Sequence, residues 1–470
     1  MNLQQHIDKR LFHVIGQQAR DMKVDVYAVG GMVRDILLQR SNKDLDFVTV
    51  GDGTALAEKC ALELKVKKVA IFKNYGTASF HYRGNDVEFV GARKESYKPE
   101  SRNPDVVPGT LEDDQLRRDF TINAMAISLQ KDNWGDLIDP FNGWSDLKRG
   151  IIKTPTNPDI TFSDDPLRMM RAVRFAAQLN FTIDEDCLKA IERNASRLAI
   201  ISQERITTEL NKIILSKKPS IGFKLLLDTK LLHQFFPEMV QLHGVKKRDG
   251  FAHKDNFYHT LEVLDNVAES SPDLWLRWAA ILHDIAKPPT QRFEPKVGWT
   301  FHGHEDLGAR MVPKIFERLK LPLDTSMKFV QKMVQLHLRP IALTKSEISD
   351  AALRRLLFDA GDDIDSLMIL CKADITSKNE LKVKKYLKNY EHVLEKLQAV
   401  EEKDRIRNFQ PPVSGEVIMK TFGVGPCAHV GKIKNAIKDA ILDGLILNDE
   451  EQALAFMHKV AAELGLQAAS

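Results

Sequence analysis

The sequence predicts a small α/β head followed by a long all-α body. Three observations carry this. Between residue 24 and about 150, short β-branched and aromatic runs alternate with helical segments and turn signals. From about 160 onward strand signals thin out and apolar residues recur at the helical period. At 470 residues the chain is also too long for one hydrophobic core, so three or more domains are expected. Breaks in pattern fall near Thr154-Pro155-Thr156-Asn157-Pro158, 217–220, 245–250 and Asn408-Phe409-Gln410-Pro411-Pro412. They suggest a head at 1–155, helical domains at 156–245 and 246–405, and a helical tail at 406–470.

Hydrophobic residues make up 43% of the chain and charged residues 28%, as in an ordinary soluble protein. A formal net charge of +3 does not mark the whole chain as a nucleic-acid binder, so any basic surface must be local. Cys60, Cys187, Cys371 and Cys427 lie far apart, with no C-x-x-C pair. That argues against a disulfide framework or a cysteine zinc site and fits a reducing cytosol. The start, MNLQQHIDKRLF, has no signal-peptide core, and no apolar run approaches the roughly 18 residues of a membrane span. A cytoplasmic protein without membrane contact is expected.

Residues 1 to about 22 read as an amphipathic helix with Leu11, Phe12, Val14 and Ile15 on its apolar side. A strand with Val24, Val26, Tyr27 and Val29 leads into Gly30-Gly31, a short amphipathic segment, and a second strand carrying Asp44 and Asp46. Residues two apart on a strand point the same way, so these carboxylates repel each other unless a divalent cation sits between them. Glycines permit a tight turn and a close approach of backbone N–H groups to phosphate, and the next helix adds its positive end. A phosphate cradle feeding an oxygen-ligand pair is what Mg²⁺-assisted nucleotidyl transfer requires. Further strands are expected at Val69–Phe72, Thr77–Phe80 and Val87–Phe89, with turns at Asn74-Tyr75-Gly76 and Gly84-Asn85. Glu88, on one face with Asp86, is either a solvated strand-end acid or a third carboxylate beside Asp44 and Asp46.

Residues 91–116 are polar, with three prolines and two glycines, and read as a long loop. Next, Arg117 and Arg118 suit bidentate clamping of triphosphate oxygens. Asp119 and Asn123, four apart on an expected helix, share a face toward ribose or phosphate. Between Ser163 and Phe175, Ser163 or Asp164 suits an N-cap and Pro166 the first helical turn. Asp165 and Arg168 are neighbours on a helix: either an ordinary salt bridge, or a carboxylate and guanidinium that read a base edge bearing an exocyclic amine. Arg171 and Arg174 extend the basic stripe.

The string G-G-x-V-R-D…D-L-D-F from Gly30 to Phe47 resembles the head signature of class II tRNA nucleotidyltransferases and bacterial poly(A) polymerases, of the DNA polymerase β superfamily. Leu116–Ala126 (LRRDFTINAMA) is similar to the family's second motif. Asp139-Pro140-Phe141-Asn142-Gly143…Asp146-Leu147 is similar to the third, and reads as a structural hinge. Asp164-Asp165-x-x-Arg168 resembles the E-D-x-x-R motif, a protein template in place of a nucleic-acid one, with Asp164 where Glu is usual. A fifth stretch, Ile201–Leu210, reads as support for that template: Ser202 caps, Arg205 and Glu209 are four apart, and Ile201, Ile206 and Leu210 face inward.

The resemblance implies a nucleotidyltransferase that uses CTP and ATP to add or repair the CCA at the tRNA 3′ end. Asp44 and Asp46 would hold two Mg²⁺ ions as the catalytic pair. Gly30, Gly31, Arg34, Arg117, Arg118, Asp119 and Asn123 would bind the nucleotide, and Asp165 and Arg168 would select it, with Arg171 and Arg174 toward the triphosphate or primer end. The 91–116 segment stands where the family has a flexible loop implicated in switching from C to A. A poly(A) polymerase or an A-only adding enzyme would carry the same head motifs.

A second chemistry lies between 253 and 374. His259, the adjacent His283-Asp284, and Asp374 are ligands suited to Mg²⁺, Mn²⁺, Fe²⁺, Ni²⁺ or Zn²⁺. Their H…HD…D order resembles the HD phosphohydrolase superfamily, which implies a divalent-metal site on these four residues, with His304 and His337 as extra ligand candidates. The set is either an active phosphohydrolase or a scaffold that has lost activity. A metal phosphohydrolase with a degraded head is a further reading, against which intact Asp44 and Asp46 argue. Lys382, Lys384, Lys385 and Lys388, and then Lys432, Lys434 and Lys438, are solvated faces or sequence-independent phosphate contacts. No obligate protein partner is evident.

Overall fold

Nine strands form in the first part of the chain: β1 (Asp25–Val29), β2 (Asp44–Val50), β3 (Ala70–Phe72), β4 (Thr77–Tyr82), β5 (Asn85–Gly91), β6 (Arg93–Lys98), β7 (Ser101–Pro108), β8 (Ala126–Ser128) and β9 (Leu137–Ile138). Seven of them make one mixed sheet in the order β3-β4-β5-β2-β1-β8-β9. The structure, a computed structural model, describes residues 1–72, 76–98, 101–343, 349–376, 379–404 and 410–468. The turn residues Asn74 and Tyr75, the linker residues Asn408 and Phe409, and the side chain of Lys382 lie outside the described residues.

Only β2 and β5 pair in parallel; the other pairings of this sheet are antiparallel. A parallel pair needs a crossover connection. Here it is the helix Gly53–Glu63 followed by the β3-β4-β5 meander. The helix starts where the Asp52 carboxylate accepts from the N–H groups of Thr54 and Ala55, both at 3.0 Å. Between β4 and β5, Arg83 and Gly84 both adopt positive φ (+49° and +84°), as a tight two-residue hairpin turn demands.

One face of the sheet is covered by the helix Arg10–Met22. Phe12 meets Phe47 edge-on at 5.6 Å, and Phe47 stacks on Phe89 at 5.3 Å. Because side chains alternate, burying Leu45 and Phe47 here sends Asp44 and Asp46 to the other face. The N-terminal segment is not one helix. It is broken into Gln4–Ile7 and Arg10–Met22 by the extended backbone of Lys9 (φ −135°, ψ 149°).

Residues 91–116 are also not a loop. β6 and β7 form their own antiparallel ribbon, and Leu111–Leu116 is a helix with a reciprocal Thr110–Asp113 capping box. The charged sequence conceals the ribbon: it lies outside the main sheet, and Val106 and Val107 are exposed, so no apolar alternation marks it.

Beyond the head, helices dominate, with the remaining strands only two or three residues long. The chain forms two compact units, Met1–Val240 and Gln241–Ser470. In the second, helices Asn256–Ser270, Leu274–Leu282, His304–Arg318, Thr325–Leu336 and Ile364–Asp374 bury Phe257, Trp278 and Phe316 completely. No helix among the described residues is long and apolar enough to cross a membrane.

The Asp139–Asp146 stretch is a clamp in the first unit. Asp139 accepts from the N–H groups of Gly143 (2.7 Å) and Trp144 (2.9 Å), and Asp146 accepts from the Thr121 hydroxyl at 2.7 Å. A Cβ on Gly143 would sit 2.2 Å from the Thr121 carbonyl oxygen. Gly143→Ala is therefore expected to destabilise the first unit by roughly 1–3 kcal/mol, the usual cost of overpacking. Urea unfolding followed by tryptophan fluorescence reads this, and an unshifted midpoint would show that the contact relaxes freely.

Candidate active sites

The parallel register of β2 and β5 pairs Asp44 with Asp86 and Asp46 with Glu88. Asp44, Asp46 and Glu88 therefore converge on one cleft of about 400 Å³, which Lys68 and His81 also line. Burial pushes the Asp46 carboxyl up, Arg118 opposes the rise and Asp44 adds to it. Partial burial likewise raises Glu88, Asp46 adds to that, and Arg93 opposes it. Three carboxylates gathered in one cleft, with Asp44 acting on Asp46 and Asp46 on Glu88, form an oxygen donor set that a hard divalent cation relieves, so the residues fit Mg²⁺.

Gly30 turns the chain from β1 into the helix Gly31–Leu37 at φ +75°. The positive φ favours glycine, and a Cβ there would lie 3.0 Å from Arg118 Nη1, pressing on the guanidinium beside Asp46. Arg118 is held by Asp114 Oδ2 through Nε (3.0 Å) and Nη2 (2.8 Å), which leaves Nη1 toward the Gly30 turn. Arg117 has less to spare. Its guanidinium binds Asp114 and, at 3.3 Å, Glu95 of β6. Asp114 is fully buried, and Glu95 also pairs with Arg93 at 2.8 Å.

Asp119 and Asn123 do meet, with the Asn123 amide donating to Asp119 at 3.0 Å. They do so across a three-residue 3₁₀ turn, Thr121–Asn123, rather than along an α-helix. Arg34 donates to Asn123 Oδ1 at 2.8 Å, and Arg171 pairs with Asp119 at 2.6 Å. Burial would raise Asp119, but the Arg171 charge and the Asn123 and Arg171 hydrogen bonds outweigh it and hold the carboxyl at about 2. Arg34, Arg171 and Arg174 all pack on the Phe175 ring, at 5.0, 5.6 and 4.2 Å from its centroid.

Ser163 and Asp164 are not N-caps: they end the helix Pro158–Asp164, which Asn157 caps. The next helix, Leu167–Leu179, begins after Pro166, with Asp165 Oδ1 accepting from the Leu167 N–H at 3.1 Å. Arg168 donates to the carbonyls of Arg117 (2.6 Å) and Thr161 (3.4 Å). Ser202 occupies the N-cap of Gln203–Ile214 without a side-chain bond, and Glu209 of that helix pairs with Arg174 at 2.8 Å.

In the second unit, His259, His283, Asp284 and Asp374 come together. His259 Nε2 lies 2.9 Å from Asp374 Oδ1 and 3.6 Å from Asp284 Oδ2; His283 Nε2 lies 3.2 Å from Asp284 Oδ2. Across Asp284, His304 and His337 approach Oδ1 at 3.3 and 3.9 Å. Asp284 thus belongs to two triads, each with ligand atoms within 4.8 Å of one another. The Nδ1 atoms of His283, His304 and His337 each meet the backbone carbonyl three residues earlier at 2.7 Å. This directs every Nε2 to the buried cluster around Asp284, where none makes a well-aligned hydrogen bond and His283 and His304 meet the carboxylate only as ion-pair contacts, an arrangement that suits imidazoles oriented for a metal. Burial pushes His337 down to about 4, assisted by the charge of His283. At Asp374, burial is outweighed by the His259 hydrogen bond and the charge of His283, and the carboxyl sits at about 2.

Three family models match in order along the chain: the poly A polymerase head domain at 26–153, the probable RNA- and SrmB-binding site of polymerase A at 180–242, and the HD domain at 256–379. An A-adding tRNA nucleotidyltransferase of Deinococcus radiodurans is 33% identical over 370 residues, covering 76% of this chain and 81% of the relative. The chain belongs to the CCA family of tRNA nucleotidyltransferases. A CC-adding tRNA nucleotidyltransferase of Thermus thermophilus is 30% identical over 444 residues, 92% of this chain and 93% of that one. A solved tRNA nucleotidyltransferase complexed with a primer tRNA and an incoming ATP analog has a TM-score of 0.59 at 25% identity, covering 83% of this chain and 99% of that one.

Within this tRNA nucleotidyltransferase, sequence reasoning missed Asp114, Glu95 and Phe175, which position the arginines, and Lys254 and Lys287, which contact the HD cluster. Lys287 Nζ is 2.6 Å from Asp284, and Lys254 donates to His259 Nδ1 at 3.0 Å. The acids of the Leu111–Leu116 helix, spaced three and four residues from Arg117 and Arg118, were the available signal. Because Asp284 is common to both triads, Asp284→Ala is expected to abolish Mn²⁺ retention entirely, whereas His337→Ala leaves the His259 triad able to hold metal. Metal content of desalted full-length protein checks this; Mn²⁺ retained by Asp284→Ala would rule out a shared ligand.

Proposed function

We propose that this enzyme builds or repairs the 3′-terminal CCA of tRNA, taking CTP and then ATP. The observation that carries the reading is the convergence of Asp44, Asp46 and Glu88 on one cleft, with Arg118 beside the Gly30 turn. The tRNA partner is supported by the primer tRNA in the solved relative's complex. The A-adding and CC-adding relatives leave the number and kind of added nucleotides to experiment.

Asp44 and Asp46 would hold Mg²⁺, which when bound supplies Lewis-acid activation of the primer 3′-hydroxyl and stabilises the departing pyrophosphate. Gly30 and Gly31 would admit phosphate oxygens to backbone N–H groups, and Arg118 Nη1 would meet them with charge. Arg34, Asn123, Asp119 and Arg171 form a pre-ordered polar wall for the ribose and phosphates, held by their mutual bonds. Asp165 and Arg168 would read the amine-bearing edge that C and A share. For that, Arg168 must turn from the carbonyls it occupies. The β6–β7 ribbon, tied to Arg117 through Glu95, stands where control of the switch from C to A is expected. The division into head, template, HD domain and tail at 155, 245 and 405 is part of the same proposal. A second activity, divalent-metal phosphohydrolysis, is proposed for the HD domain on the Nε2 atoms gathered around Asp284.

With a tRNA lacking its CCA, Mg²⁺ and labelled nucleotides, the protein is expected to add two C and then one A. Asp44→Ala should lower incorporation about a thousandfold or more, a loss of several kcal/mol of transition-state stabilisation. Addition of A alone, or long A tails, would replace this reading with the A-adding or poly(A) one. The charge of Arg118 opposes the rise of Asp46, so Arg118→Gln should raise that carboxyl further. The ionised form is then reached only at higher pH, and the acid limb of the pH–rate profile should move upward. An unmoved limb would detach Asp46 ionisation from the rate.

A further inference from the structure

We propose that the head carries a second nucleotide-binding cleft, on the side of the sheet turned away from Asp44 and Asp46. The cavity measures about 450 Å³, within the usual range for small-molecule sites. Its floor is apolar: Leu11 and Phe12 of the Arg10–Met22 helix, Met32 and Ile36 of the Gly31–Leu37 helix, and Leu45 of β2. Leu45 lies between Asp44 and Asp46 in sequence, so its side chain leaves the strand on the opposite face. The assignment is independent of the nucleotide handled at the Asp44 cleft.

The rim is basic. His6, Lys9, Arg10, Arg40 and Arg83 surround the opening, and no carboxylate is among the lining residues. Lys9, Arg10 and Arg40 are exposed and make no ion pair among the described residues. Of the neighbouring acids, Asp8 binds His13 at 2.6 Å, Asp35 binds Arg34 at 2.9 Å and Asp86 binds His81 at 2.9 Å, while Asp44 leaves β2 on the other face. Unpaired cations over an apolar floor call for a ligand with an anionic end and an apolar body. Two features point to a base rather than an acyl chain. Ser41 and the side-chain carbonyl of Asn85 offer hydrogen-bonding groups inside the cavity, whereas Asn42 is already engaged with Asp35 and the Asp44 N–H. Tyr82 lines it with the Arg83 guanidinium 5.5 Å from its ring centroid, a flat surface of the kind on which bases stack. The occupant is one nucleotide unit, its phosphate on Arg10 and Arg40 and its base toward Leu45 and Tyr82, either free or as an unpaired nucleotide of an RNA strand.

The test is photolabelling of the full-length protein with azido-AMP and, separately, with a short RNA carrying a single thiouridine, followed by mass-spectrometric mapping. Label on peptides containing Phe12 or Tyr82 is the expected result. Labelling by azido-AMP identifies a free nucleotide, and labelling by the RNA alone identifies a nucleotide within a strand. Replacing Arg10→Glu and Arg40→Glu together should lower this label about tenfold or more, as loss of two charge-assisted contacts implies. Asp44→Ala should leave the label unchanged, and the double variant should keep CTP and ATP incorporation. Label confined to the Asp44 cleft, or equal in the double variant, overturns the proposal. So does displacement of azido-AMP by inorganic phosphate as effectively as by AMP, which would mean an anion site with no use for the apolar floor.

Discussion

Acids at alternate positions of one strand, set in register against a parallel neighbour that carries another, cannot stay ionised together without compensating charge. The head is arranged around this constraint. Pairing β2 with β5 fixes where the negative charge gathers, and burial of Leu45 and Phe47 fixes the face. Arginines answer it at a distance, each restrained by a carboxylate of its own: Arg118 by Asp114, Arg171 by Asp119, Arg174 by Glu209. Because those pairs are largely buried, losing one partner would leave an uncompensated charge, which costs far more than a surface pair contributes.

The HD cluster reaches order by a different route. His283 and His337 each stand at the residue closing a helix, Leu274–Leu282 and Thr325–Leu336. Their ring Nδ1 atoms meet carbonyls of the last turn, groups that a helix leaves without an internal partner. One contact therefore finishes the helix and aims the imidazole. The position of histidine at these ends is a matter of backbone accounting as much as of ligand chemistry.

The glycine pair, the alternating aspartates, the R-R-D string and the H…HD…D order were legible in sequence because each is a local pattern with a local physical meaning. The Asp46–Glu88 neighbourhood was only half legible: strand period put Glu88 among the candidates, but the parallel pairing of β2 with β5 that brings it to Asp46 is a long-range fact. What stayed hidden depends on partners remote in sequence or on burial. Nothing near Arg174 announces Glu209, and nothing near Arg117 announces Glu95. Adjacent arginines look alike in sequence, yet Arg118 faces the cleft and Arg117 is consumed by ion pairs. Asp119 and Asn123 meet as expected, but a 3₁₀ turn does it, because contact four residues apart does not require an α-helix. The β6–β7 ribbon read as loop since a strand pair outside the main sheet needs no alternation of polarity.

The Asp119–Arg171 pair and the Arg168–Arg117 bond join the strand-rich half of the first unit to the helix Leu167–Leu179. This bears on how members of such a family can be recombined. The proline-containing stretch at Thr154–Pro158 looks like the natural seam for grafting one head onto another body. Yet a cut there would part Asp119 from its arginine and Arg168 from its carbonyl. A graft would carry both unions intact only if the crossover fell beyond Arg171, so the modular boundary for exchange lies inside the helix rather than at the linker before it.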